Sequence, residues 1–433
     1  MGKDKNLSKI NLKKQMFDLL TSNIVDKALN TINVYILINW IGLSGFGIWS
    51  VLMSILLISD SVFSMGVSTY SLEYLKQNRS KNKFKRLLYI SFILLVIKST
   101  FLIIFWLIRD YKFLDPIGGN IILLNLGLFL CFQELAKVLQ SICQVNNLTD
   151  KILYSRLIQS GIRTSLIILF FYSGLPAVIA PLPYLSSTFI CCIFLFIFCR
   201  RIFSRFKLKS FKKIIIDVKY QKNITNYFSL FIKRSLPFAI SAMTILLYLK
   251  SDILCLQYFS IVESKIGNYA FASSIASAIY FIPFNAYRVL LSSFNGKNLK
   301  NVLNKYKKRI FSICFLILIF QQLTYLSINV FLSKSYPEII FSSVNLLTIL
   351  SLGLLGICLN EYCALAFALV NKNWLINLRS LLTFSFNICL NLLFIPRFGI
   401  YGAAIGTTLA LLFSGISMLA LKIYTYKNLR IIS

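Results

Sequence analysis

Apolar stretches of twenty residues and more recur along the whole 433-residue sequence, and no other feature constrains its fold as strongly. A bilayer core roughly 30 Å thick is crossed by about 20 apolar residues in a helix. The stretches fall at about 16–40, 46–75, 87–108, 118–144, 152–173 and 178–199, then at 234–257, 267–292, 310–332, 340–370, 374–395 and 399–421. They predict an all-α polytopic membrane protein of about twelve transmembrane helices. Several exceed 20 residues, which implies tilt or helix continuing beyond the lipid. Composition agrees: 57% of the residues are hydrophobic and 14% charged, against about a quarter charged in soluble domains.

The formal net charge of +32 comes from 46 Lys+Arg against 14 Asp+Glu. In a soluble chain such an excess suggests nucleic acid. Here its placement follows the spans instead. With the N-terminus on the cytoplasmic side, 36 of the 46 basic residues fall in cytoplasmic segments, counting Arg156, Arg163, Arg234 and Arg379 of the spans that adjoin them, 5 in external connections and 5 elsewhere inside spans. That split satisfies the positive-inside rule and puts both termini in the cytoplasm. It excludes nucleic acid as the partner and makes the bilayer the solvent. The external connections are all short. The one long hydrophilic segment, 200–233, reads as a basic cytoplasmic linker between a six-helix lobe at 1–199 and a second at 234–433.

No histidine is present, so histidine bases, Ser-His triads and histidine metal sites are excluded. Most of the 10 cysteines, such as Cys191, Cys192, Cys314 and Cys389, sit in apolar runs without a CxxC pair, as reduced buried hydrophobes do. The N-terminal arm carries Lys3, Lys5, Lys9, Lys13 and Lys14, and the apolar run after it outlasts a signal peptide. It is expected to be a signal-anchor first span. No cofactor is implied.

The two halves echo each other. Gly45-Phe46-Gly47 opens the second expected span and Gly267-Asn268-Tyr269-Ala270 the eighth. Thr149-Asp150-Lys151 opens the fifth and Asn371-Lys372-Asn373 the eleventh. Six spans per half is even, so the repeat would be parallel, with its axis along the membrane normal.

One motif is more specific. Asn387-Ile388-Cys389-Leu390-Asn391 precedes Ile395-Pro396-Arg397-Phe398-Gly399, Gly402-Ala403-Ala404 and Thr407-Thr408. This series resembles the polysaccharide exporters of the MOP superfamily, whose members include Wzx-type flippases of O-antigen and other lipid-linked oligosaccharides. Pro237, Asp252, Gly267-x-Tyr269-x-x-Ala272, Gly42 to Trp49 and Phe63-Ser64-Met65-Gly66 also fit. Members often carry Asp where this chain has Met65, so no acidic role transfers to that position. As physics, the motif reads as structure: Pro396 and Gly399 for a tight external turn, small residues for close helix packing, and Asn387 and Asn391 for bonds across helices. The resemblance implies a MATE-like fold of two six-helix lobes around a cationic lumen. It further implies export of undecaprenyl-pyrophosphate-linked repeat units from the cytoplasmic to the outer leaflet of a bacterial inner membrane, upstream of polymerase and chain-length machinery.

Ionisable residues inside spans are candidate functional groups. At 1.5 Å per residue, Lys27, Lys98, Lys250, Asp26, Asp60 and Asp252 lie about 15–24 Å into their spans, too deep for easy snorkelling. Lys27, Lys98, Lys137, Lys250 and Arg288 are the candidates for holding a pyrophosphate. Asp26, Asp60, Glu134, Asp252 and Glu361 are the candidates for coupling to a proton or sodium gradient. Three have plainer readings. Glu134 and Lys137 share a helix face and can pair with each other. Arg288 can snorkel from the cytoplasmic end of its span. Glu361 can be a capped polar contact. Adjacent Asp26 and Lys27 cannot both face the lumen. The 22 tyrosines serve sugar stacking less than interface belts.

Three other functions compete. A multidrug exporter of the same superfamily would favour acids over bases in its lumen, and the deep bases here are as frequent as the acids. A polysaccharide polymerase or ligase, an enzyme, usually carries a long external catalytic loop. A channel or receptor would show a filter or sensor domain.

Overall fold

A computed structural model of the chain describes residues 2–67, 70–71, 74–75, 81–107, 119–146, 148–205, 224–293, positions within 312–323, 337–369 and 373–429. The ordered elements among them are helical. They are α1 (Gly2–Ser64), α2 (Lys81–Leu107), α3 (Gly119–Val145), α4 (Thr149–Tyr172), α5 (Leu182–Arg205), α6 (Ile224–Tyr258), α7 (Glu263–Ser293), α8 (Pro337–Leu369), α9 (Asn373–Phe398) and α10 (Ile400–Leu429), with a 3-10 turn at Ala177–Ile179. Six are long and apolar enough to cross a membrane: Ile24–Ser64, Leu124–Val145, Leu182–Cys199, Ser342–Ala364, Trp374–Phe398 and Ile400–Tyr424. Most of the expected ninth span at 310–332 and of the linker at 200–233 lies outside the described residues.

The first two expected spans are two helical segments that meet at a kink between them. The kink is at Gly42, whose φ of 75° and ψ of 167° break the helical path. Only glycine reaches that conformation without a Cβ penalty. The helix stops at Met65 and Gly66, both at positive φ. In the turn after α9, Pro396 stays inside the helix and Gly399 alone, at φ 56°, reverses the chain. The expected Pro-Gly turn is therefore a single-residue hinge. Its amide still donates to Ile395 O at 2.8 Å.

The chain divides into two compact units, Met1–Trp40 with Ile55–Met243, and Ile41–Ser54 with Thr244–Ser433. The expected lobes were 1–199 and 234–433. The units differ from those halves because the middle of α1 joins the second unit and the first part of α6 the first.

In the first unit, α3 lies between α2 and α5, and α4 lies on α5. Leu75, Leu87, Leu94, Val138, Ile142, Leu195 and Cys199 are fully buried there. Cys143 Sγ faces Cys199 Sγ at 3.6 Å, and both are free thiols, as expected of cysteines in apolar runs. α4 ends on Gly174 at φ 64°, with Leu175 N donating to Phe170 O and Leu175 O accepting from Trp40 Nε1 at 2.8 Å. The left-handed glycine closes the helix and its neighbour ties it to α1.

In the second unit, α10 packs along α8 and α9, and α8 along α7. The backbones nearly touch. A Cβ on Gly356 would collide with Leu411 O, and one on Gly415 with Gly356 itself. Gly47 and Gly267, singled out above as an echo between halves, meet each other: a Cβ on Gly47 would strike Glu263 O, and one on Gly267 would strike Leu43 O. Close helix approach of this kind is how membrane helices gain dispersion contact where lipid offers no hydrophobic drive. Gly161 in α4 has open space around it. Gly356→Leu should therefore abolish a monodisperse peak in detergent size-exclusion chromatography, overpacking costing about 1–3 kcal/mol or more. Gly161→Ala should elute unchanged.

Candidate functional site

Four of the ten predicted charged residues converge in the first unit. Asp60 comes from the end of α1, Lys98 from the middle of α2, and Glu134 and Lys137 from one face of α3. Lys98 Nζ donates to Asp60 Oδ1 at 2.7 Å and to Glu134 Oε2 at 3.3 Å. Lys137 Nζ donates to Asp60 Oδ2 at 2.9 Å and lies 3.7 Å from the same Glu134 oxygen. The expected Glu134–Lys137 pair is present, but it is the longest edge of a four-membered ring. Two acids and two bases sum to zero, which is what makes the cluster affordable in an apolar bundle.

The ring is uneven in two ways. Asp60 takes a short bond on each oxygen, whereas Glu134 takes one longer bond and one ion-pair contact, both on Oε2. Its Oε1 is buried and has no partner. The Asp60, Lys98 and Glu134 side chains are 3–5% exposed, whereas Lys137 keeps 37% of its side chain accessible. One cation thus reaches the surface of an otherwise sealed cluster.

The second unit buries Asp252 among neutral donors. Tyr269 OH donates to Oδ2 at 2.7 Å, Thr407 Oγ1 to Oδ2 at 2.6 Å and Asn391 Nδ2 to Oδ1 at 2.8 Å. Asn391 Nδ2 also reaches Asn387 Oδ1 at 2.6 Å, and Ser251 Oγ reaches that same oxygen at 3.2 Å. The amide of Asn391 is oriented by its two acceptors. Its Oδ1 is left buried without a partner, as is Asn387 Nδ2. No ion pair to Asp252 occurs among the described residues. The residues come from α6, α7, α9 and α10. The asparagine–threonine motif, whose asparagines the sequence marked for bonds across helices, closes around the acid that sequence had marked separately.

Residues 12–291 match the family described as polysaccharide biosynthesis protein. The chain belongs to that family. Among curated proteins, none matches significantly. Among solved structures, this polysaccharide biosynthesis protein is similar to the inward-facing conformation of a multidrug resistance MATE family transporter of the MOP superfamily, with TM-score 0.69 and 16% identity over 94% of this chain and 96% of that one. It is similar to the lipid II flippase MurJ in an inward closed conformation, with TM-score 0.70 and 17% identity over 94% and 87%. A MOP superfamily transporter from Pyrococcus furiosus, described as having a binding pocket of reverse polarity, gives TM-score 0.57 and 14% identity over 97% of each chain. These likenesses show the fold: an all-α, MATE-like, multi-pass membrane protein.

Four of the remaining candidates, Asp26, Lys27, Lys250 and Glu361, stand apart from the bonds that define the two clusters. Asp26 and Lys27 are half-buried on α1, and Lys27 O accepts from Thr31 Oγ1 at 3.0 Å. Lys250 is half-buried on α6. Two residues along a helix turn it about 200° from Asp252. Glu361 accepts from Asn360 Nδ2 at 3.0 Å, the capped contact weighed above. The Arg288 side chain lies outside the described residues. Tyr269, Thr407, Asn387 and Asn391 were missed as site residues, although all stood in quoted motifs. Arg379 was missed too. It is buried on α9 and donates to Ser414 Oγ at 3.0 Å and Ser380 Oγ at 2.6 Å.

Removing Asp60 strands Lys98 beside Glu134 alone. Asp60→Ala should lower stability by about 3–5 kcal/mol, the penalty for breaking a buried pair. Lys137→Ala, whose cation is partly accessible, should be milder. Thermal unfolding of the purified variants in one detergent ranks the two.

Proposed function

We propose that the protein moves an undecaprenyl-pyrophosphate-linked oligosaccharide from the cytoplasmic to the outer leaflet of a bacterial inner membrane, with both termini cytoplasmic. The observation that carries this reading is membership of the polysaccharide biosynthesis family on a fold shared with transporters and a lipid II flippase. The chemistry of the chain supports it. A polyprenyl tail can remain in lipid, whereas the diphosphate needs a cation within reach of the headgroup path. Lys137 is such a cation, and Lys27, Lys250 and Arg288 extend the candidate set. Its likeness to transporters and a flippase supports a carrier and not an enzyme. The sugar would pass to polymerase and chain-length machinery for O-antigen or capsule.

Deleting the gene tests this directly. Surface polysaccharide should disappear while lipid-linked repeat units accumulate on the cytoplasmic side, and plasmid-borne protein should restore export. Intact polysaccharide together with drug sensitivity would favour the multidrug reading instead.

Coupling is assigned to Asp252. Its carboxylate, Thr407 Oγ1 and the unpartnered Asn391 Oδ1 are hard oxygen donors from three helices. That set suits Na+ or a proton and offers nothing to a soft metal. In choline-balanced buffer, sodium should raise the Tm of the wild type, and Asp252→Asn should remove the rise. A Tm that ignores sodium but climbs on acidification in wild type alone would make the proton the coupling ion.

A further inference from the structure

Two thiols in the first unit stand sulfur to sulfur, and nothing in the transport reading uses them. Cys143, in the last turn of α3, faces Cys199, in the last two turns of α5, at 3.6 Å between Sγ atoms. We propose that this pair is a redox-sensitive clamp. A peroxide closes it into a disulfide that fastens α3 to α5, and a dithiol reductant opens it again.

Position carries the argument. The two residues are 56 apart in sequence and on different helices, so tertiary packing and not helical spacing brings them together. Sulfurs in van der Waals contact need to close by about 1.5 Å to form a bond of about 2.05 Å, a shift that side-chain rotation supplies. The helices themselves already pack along one another, and Leu139, Ile142 and Leu195 are buried in the same core. The other cysteines of that seam turn to oxygen instead. Cys131 Sγ lies 3.6 Å from Ser99 Oγ, and Cys192 donates to Phe132 O at 3.1 Å.

The oxidant has a short way in. Cys143 O accepts from Asn146 N at 3.1 Å and from Leu148 N at 3.0 Å, so the cysteine sits where α3 gives way to the turn before α4. It belongs to the last turn of the span Leu124–Val145. Both thiols are fully buried, which favours an oxidant little larger than water over a bulky one.

The chemistry balances. One thiol sulfur attacks an oxygen of hydrogen peroxide: an S–O bond forms, the O–O bond breaks, and the leaving oxygen takes the thiol proton and departs as water. The second sulfur then displaces the hydroxyl: the S–S bond forms, the S–O bond breaks, and a second water leaves with the second thiol proton. Two thiols lose two electrons in all, and one peroxide is reduced to two waters. In a reducing compartment the pair stays open, so the bridge answers an oxidant. Its effect is confined to the first unit, to which both cysteines belong. It holds α3, the helix that carries Glu134 and Lys137, against α5, and it closes a long chain loop, which stabilises the fold.

Peptide mass spectrometry tests the clamp on full-length protein in detergent, treated with hydrogen peroxide and then denatured in N-ethylmaleimide. Cys143 and Cys199 should escape alkylation together, appear in one pair of linked peptides and return on dithiothreitol. The Tm of peroxide-treated wild type should rise by about 5 °C, and dithiothreitol should reverse the rise. Cys143→Ala and Cys199→Ala should show neither the linked peptides nor the rise, whereas Cys131→Ala should show both. Alkylated or overoxidised Cys143 and Cys199 in place of the linked pair, links joining other cysteines, or a bridged protein whose Tm is unchanged or lower would overturn the clamp. None of these outcomes bears on the flippase reading. Should an alanine variant not fold, treated and untreated wild type decide among the same outcomes.

Discussion

Asp60 accepts one ammonium on each carboxylate oxygen, from lysines on two different helices, and so ties the end of α1 to α2 and α3 in the middle of an apolar bundle. Much of the first unit follows from that arrangement. A lone lysine at the depth of Lys98 would be expelled or neutralised, and a lone acid at the depth of Glu134 likewise. Together they are tolerated, and they fix the rotation of three helices, because a turned helix would withdraw its charge and leave an uncompensated one behind. The hydrophobic residues around the ring fill space but choose no register; lipid is as apolar as they are. The second unit uses a different device. There glycines bring backbones together, and Asp252 is held by hydroxyls and an amide instead of cations.

The contrast separates two chemical environments. In one, a carboxylate is surrounded by neutral donors beside a buried amide oxygen that has no partner. In the other, two acids and two lysines sum to zero and one lysine stays partly accessible. The fold keeps the two in different units.

Helix content and most span positions were legible in the sequence because apolar length is a local property. So was the Glu134–Lys137 pair, since residues three apart share a helix face. Asp60 and Lys98 were legible as deep charges but not as partners. Periodicity says which residues lie on one face and nothing about which helix that face meets. The same limit hid the Asp252 site. Asn391 was legible as a residue that bonds across helices, but its partner, like that of Thr407, was not, since 139 and 155 residues separate them from the acid they bind. The Gly42 kink falls between the first two expected spans, where the sequence placed their connection. The reciprocal contact of Gly47 with Gly267 was visible only as an echo. Similar glycines in two halves suggest symmetry, and only coordinates show that they touch.

The membership of residues 41–54 has a consequence for how the protein is made. This stretch of α1 leaves the ribosome early, yet it packs with Glu263 and Gly267. Synthesis runs at about 5–20 residues per second, so the stretch waits roughly 10–45 seconds for its partners to be translated. Through that interval a helix already threaded into the bilayer presents its glycine face to lipid or to the insertion machinery. The first unit is likewise incomplete until residue 243 has emerged. Neither unit can be finished before the other has begun, so the nascent chain passes through a half-built state that no cut between the halves would relieve.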